Sequence, residues 1–205
     1  VNRLLPRLLV SFLALAVLCP GLPPAAPGRP ATPSRQKLAE ACYAKLNALR
    51  QGLQTEPAVF TQQEINAYLA LNKDRLFQSA AREVKVTLAK DRFMVNASGD
   101  LAKANLKLDS LIYKAFLWIL KGNHRVEAEL FFQSDRRQGK YQVKWLRIDG
   151  IRVPDTLAQA LARQVGQRQH PPLLPGEPFP LPAQIERCDV KPNLVVCQPR
   201  RPASR

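Results

Sequence analysis

The residues best suited to chemistry in this chain are two histidines, four cysteines and a scatter of carboxylates. His124 opens an alternating apolar stretch and His170 precedes Pro171-Pro172. Neither has a cysteine or carboxylate at the spacing of a metal-ligand set, so both are expected as surface histidines with no metal between them. The chain carries no phosphate-cradling P-loop, no dinucleotide glycine pattern and no G-x-S-x-G nucleophile elbow. Asp149 and Asp155 fall at a turn and at a helix start, where turn and cap roles account for them. A non-enzymatic protein without a cofactor is therefore expected.

The cysteines divide by position. Cys188 and Cys197 flank a short hairpin, Asp189-Val190, then Lys191 to Leu194, then Val195-Val196. Pairing Val190 with Val195 sets Cys188 across from Cys197, at a separation that suits a disulfide. Cys42 lies on the apolar face of a helix, which predicts a buried free thiol. Cys19 belongs to the leader described below. Lipidation there is left open, since bulky Leu18 precedes it where such signals favour a small residue.

The run Leu111 to Leu120 is apolar on every side, with Lys114 its single charge. Two readings stand: a buried helix or strand, or an edge facing lipid or another apolar ligand. In the second, Leu111, Ile112, Phe116, Leu117, Trp118 and Ile119 supply apolar contacts. Lys107, Lys114, Lys121 and Arg125 then form a cationic fringe for a head group.

These residues need a scaffold, and the stretch from His124 to Ile148 supplies its centre. Val126, Ala128, Leu130 and Phe132 alternate with charges, as a strand with one buried face requires. The turn Asp135 to Gly139 returns the chain through Tyr141, Val143 and Trp145. Pairing 134 with 139 sets Phe132 opposite Tyr141, Leu130 opposite Val143, Ala128 opposite Trp145 and Glu129 opposite Lys144. After Trp145 the apolar parity changes to Leu146 and Ile148, which predicts a bulge or a strong twist beyond it. A second hairpin pairs Val84, Val86 and Leu88 with Ala97, Val95 and Phe93. Leu106 and Leu108 suggest a further extended piece.

Helices flank these strands. One begins at Ser34, with Leu38, Cys42, Leu46, Leu49 and Leu53 on one face, and ends near Gly52 and Pro57. Another starts at a capping box, Thr61 with Glu64, stapled by Phe60 and Ile65. Ile65, Tyr68, Leu69 and Leu76 face inward, and the cap accounts for Glu64 without a functional pairing with Asn66. A third follows Asp149-Gly150 and Pro154, capped by Asp155 or Thr156, with Leu157, Leu161 and Val165 inward and Gly166 at its end. His170 to Pro182 is expected as an extended surface segment.

The flanks and charge bound the setting. Arg3 and Arg7 precede an apolar run, Leu8 to Leu18, as in a secretory signal, and Pro20 to Pro33 is a Pro-rich linker. Residues 1–33 are thus assigned to leader and linker, 34–198 to one domain, and 199–205 to a disordered basic tail. A formal net charge of +15 implies an anionic partner. An exported, periplasmic or envelope location argues against nucleic acid and favours lipid or an anionic membrane surface.

The series Phe60-Thr61-Gln62-Gln63-Glu64-Ile65-Asn66-Ala67-Tyr68-Leu69 carries a T-x-x-E-x-N helix start. With the paired strands and Ile148-Asp149-Gly150-Ile151-Arg152-Val153-Pro154 leading into a helix, it resembles LmeA-like and related tubular lipid-binding (TULIP-type) exported bacterial domains over residues 60–198. That resemblance implies a curved antiparallel sheet wrapping a helix, an apolar groove for acyl chains, and no catalytic motif. The expected fold is α+β: a twisted antiparallel sheet of about five to seven strands on two or three helices. The expected function is non-enzymatic binding of lipid or another apolar anionic ligand. The alternative is a basic envelope scaffold that meets anionic polymer or membrane without an internal ligand.

Overall fold

A period of two through Val84–Leu88, Phe93–Ala97 and Val126–Phe132 forces these segments to be strands with one buried face, and each buries that row, with Ala97 half-buried at its end. The computed structural model describes residues 33–77, 81–100, 122–167, 169, 171–182 and 184–200. Within them lie α1 (Pro33–Gln51), β1 (Ala58–Thr61), α2 (Gln62–Phe77), β2 (Ala81–Ala89), β3 (Arg92–Asp100), β4 (Asn123–Asp135) and β5 (Gln138–Ile148). They are followed by β6 (Ile151–Arg152), α3 (Asp155–Gln167), β7 (Pro178–Pro180), β8 (Ile185–Lys191) and β9 (Leu194–Pro199). The architecture is α+β, with antiparallel sheets on helices.

The larger sheet runs β2-β3-β4-β5-β6, with β7 pairing β5. Leu88, Val86 and Val84 face Phe93, Val95 and Ala97 in the expected register. In the central hairpin Ser134 faces Gly139, Phe132 faces Tyr141 and Leu130 faces Val143, again as expected. The register then shifts earlier than the sequence implies. Lys144 is bulged out, so Glu129 faces Trp145 and Ala128 faces Leu146. The expected pairs Ala128–Trp145 and Glu129–Lys144 do not form. The physical reason is local: Trp145 turns to the outer face, where its Nε1 donates to Glu129 Oε2 at 2.6 Å, and Leu146 takes the core position.

A separate three-stranded sheet, β1-β9-β8, was not expected as such. Val59 faces Val196 and Phe60 faces Val195, so a four-residue strand ahead of α2 is paired to the last strand described. Cys188 faces Cys197, Val190 faces Val195, and the two cysteines are joined as a disulfide.

The helix ends obey their capping chemistry. At the end of α1, Leu53 N donates to Ala48 O at 3.0 Å and Gly52 N to Leu49 O at 3.2 Å, with Gly52 at φ 69°. This turn carries Leu53 off the helix and leaves it 71% exposed, which corrects its placement on the buried face. At the start of α2, Glu64 N donates to Thr61 Oγ1 at 3.2 Å, and Thr61 N donates to Glu64 Oε2 at 2.8 Å. The segment after α3 is also corrected. Leu173, Phe179 and Leu181 are buried, and β7 adds to the sheet. Tyr141 Oη donates to Leu173 O at 2.9 Å, tying this segment to β5 beneath it.

Candidate functional site

α2 is held against the edge of β2 by its own amides. Asn66 Nδ2 donates to Val86 O at 2.8 Å, and Val86 N donates to Asn66 Oδ1 at 2.7 Å. Leu88 N donates to Gln62 Oε1 at 2.7 Å. The residues sit at i and i+4, on one helix face, so both reach the same strand. An edge strand with open N–H and C=O groups invites foreign pairing, and these bonds close it.

Beside this clamp the start of α1, the middle of α2 and the first half of β2 enclose an open groove of about 690 Å³. Its apolar wall is Leu38, Ala67, Ala70 and Val84, of which Ala67 and Val84 are buried and Leu38 and Ala70 half-buried. Its basic rim is Arg35, Lys73, Arg82 and Lys85. Lys73 Nζ donates to the Arg82 carbonyl at 3.1 Å, and Lys85 lies 3.4 Å from Glu83. Arg35 and Arg82 have no carboxylate partner among the described residues. Apolar wall and cationic rim together suit an amphiphilic anion: the acyl part loses water against half-buried Leu38 and Ala70 while guanidinium groups bond the head group. Arginines scattered over two elements gave no sequence signal for this site.

A second cavity, of about 500 Å³, lies between the tip of the β4–β5 hairpin and Cys188. It mixes Asp91, Asp135 and Asp189 with Arg136 and Lys140. The Ser134 hydroxyl there is committed to the backbone of Cys188, donating to its O and accepting from its N, both at 2.7 Å.

Of the residues expected to bind ligand, Lys107, Leu111, Ile112, Lys114, Phe116, Leu117, Trp118, Ile119 and Lys121 lie outside the described residues, as do Leu106, Leu108 and His170. Arg125 is described: it is exposed on β4, 2.8 Å from Glu127, and does not line the groove.

Sequence reasoning missed a contact between His124 and Asp149. Their Nδ1 and Oδ2 are 2.6 Å apart, and Asp149 Oδ1 accepts from Arg125 N at 2.8 Å. Asp149 sits at φ 51° beside Gly150 at φ 81°, the paired positive angles of a two-residue hairpin turn. The Arg125 N–H, and then His124, hold the Asp149 carboxyl below its ordinary value. Neither cavity includes this pair, so its evident work is to fix the β5–β6 turn against β4. Among the described residues no three His, Cys, Asp or Glu side chains gather to hold a metal ion.

Glu64 links the cap to α1. Lys45 Nζ donates to its Oε1 at 2.7 Å and to Val59 O at 2.7 Å. Burial works to raise the Glu64 carboxyl, but the Lys45 ammonium and the Thr61 N–H outweigh it and leave the group below its ordinary value. Cys42 is a buried free thiol, pushed up to about 12 chiefly by desolvation.

Comparison with protein-family models, with curated proteins and with solved structures found no match.

Proposed function

We propose that this protein binds an amphiphilic anion, a lipid or a lipid-like molecule, without catalysing a reaction on it. The observation that carries the reading is the groove between α1, α2 and β2, where Arg35 and Arg82 stand beside an apolar wall without carboxylate partners among the described residues. A buried acyl chain contributes about 0.8 kcal/mol per CH₂ taken out of water, and charge-assisted bonds from guanidinium groups fix the head. The setting is the cell envelope of an exported protein. The leader-like N-terminus, the Cys188–Cys197 disulfide and the net charge of +15 support it. No helix among the described residues is long and apolar enough to cross a membrane. The resemblance to tubular lipid-binding domains belongs to the same proposal.

The test is native mass spectrometry of protein purified from the envelope fraction, before and after lipid extraction. A bound species with a lipid mass, lost on extraction and absent from an Arg35→Glu/Arg82→Glu variant, supports the reading. Protein that carries nothing and takes up no anionic lipid on re-addition contradicts it.

A further inference from the structure

The outer face of the large sheet carries a second basic surface, separate from the groove. Lys140, Lys144 and Arg147 lie along β5, all exposed and all without a carboxylate partner among the described residues. The bulge turns Trp145 and Arg147 onto the same face as Lys140 and Lys144, and the Lys144 ammonium lies 5.3 Å from the centre of the Phe131 ring. The Arg147 guanidinium lies 5.1 Å from the centre of the Trp145 ring. Arg147 also faces Arg152 directly across β5 and β6. Like charges placed opposite each other destabilise a sheet; the Asp155 carboxylate lies 3.3 Å from Arg152, while Glu127, across from Arg147 on β4, is ion-paired with Arg125 at 2.8 Å.

We propose that this face, centred on Lys144, Trp145 and Arg147, docks on an anionic phospholipid bilayer. Two features favour a bilayer over other polyanions. The aromatic faces of Phe131 and Trp145 are already occupied by cations, so nucleic-acid bases have no free ring to stack on. Half-buried Trp145 and Phe131 offer a shallow apolar patch among cations, the composition of a membrane-interface surface, and Met94, 39% exposed, stands on β3 across Glu129 from Trp145. The cations stand on a rigid strand and so meet a plane of phosphates together. The inference goes beyond the groove and does not depend on it.

The experiment is flotation of the protein with vesicles of phosphatidylcholine, with and without phosphatidylglycerol. Binding is expected only to the anionic vesicles and is expected to fall about 25-fold in Lys144→Gln/Arg147→Gln, at about five-fold per cation removed. Thermal unfolding of the variant confirms that the sheet is intact. A control carries the same change of charge elsewhere, Lys37→Gln/Lys191→Gln, and is expected to retain vesicle binding. Equal binding to neutral vesicles, equal loss in the control, or undiminished binding in the folded Lys144/Arg147 variant would overturn the proposal. So would tighter binding of single-stranded DNA lost in that same variant. A parent protein that carries no groove ligand and takes none up, with vesicle docking intact, would refute the groove reading alone.

Discussion

Asn66 of α2 bonds both backbone groups of Val86 in β2, donating at 2.8 Å and accepting at 2.7 Å. One side-chain amide thus does what a neighbouring strand would do, ends the sheet, and sets the helix that walls the groove. Asn66→Ala leaves the Val86 N–H and C=O without partners and should cost about 2–3 kcal/mol in urea unfolding. Asn66→Asp should cost more, because a carboxylate oxygen then faces the Val86 carbonyl. An alanine variant within about 0.5 kcal/mol of the parent would show that water replaces the clamp freely.

Thr61→Ala removes the N-cap of α2 and should lower stability by about 1 kcal/mol, with little effect on ligand binding. Glu64→Gln removes the charge that Lys45 meets and should cost about 1–2 kcal/mol. The sign of the pH effect follows from the lowered Glu64 carboxyl. A depressed folded value means that the stabilisation is complete above the unfolded value, about 4.3, and is lost as pH falls through the folded value. Asp149, also lowered, acts in the same direction. Denaturation of Glu64→Gln against the parent at a series of pH values should show a difference that shrinks in acid. A difference that stays constant would contradict the assignment.

Gly166 lies where α3 meets the chain near Leu173. A Cβ built at 166 would fall 1.6 Å from the Leu173 carbonyl oxygen, and the Gly166 carbonyl accepts from Leu173 N at 2.9 Å. Gly166→Ala must push these backbones apart, at a cost of about 3 kcal/mol or more. Thermal melting within about 2 °C of the parent would refute the close approach.

The buried Cys42 thiol, pushed up to about 12, should resist maleimide in the folded protein and react after unfolding. Cys188 and Cys197 should react in neither state until reduced, and reduction should lower stability by about 2–3 kcal/mol. Peptide mapping without reductant checks both statements. Labelled Cys188 or Cys197 in native protein would contradict the second.

The hairpins and the three helices were legible because period two, period 3.6, caps and turn residues all act locally. Val84, Val86 and Leu88 could hardly face another way. Lys144 was not legible as a bulge, because alternation through Tyr141, Val143 and Trp145 looks unbroken until the Trp145–Glu129 bond is seen. β1 was missed because its four residues, Ala58 to the cap residue Thr61, are too few to show a period in sequence, and their pairing comes from the far end of the chain. The groove was missed for a related reason. Arg35, Lys73 and Arg82 each look like a solvated surface charge, and only the packing of α1, α2 and β2 brings them around Leu38 and Val84.

The groove's ligand chemistry is tested most directly by calorimetric titration with dodecyl phosphate and, in parallel, with dodecanol. Saturable one-to-one binding of the phosphate, weak or no binding of the alcohol, and at least about ten-fold weaker phosphate binding to a folded Arg35→Gln/Arg82→Gln variant is the result predicted. Equal binding of phosphate and alcohol, or phosphate binding untouched by that variant, would contradict it.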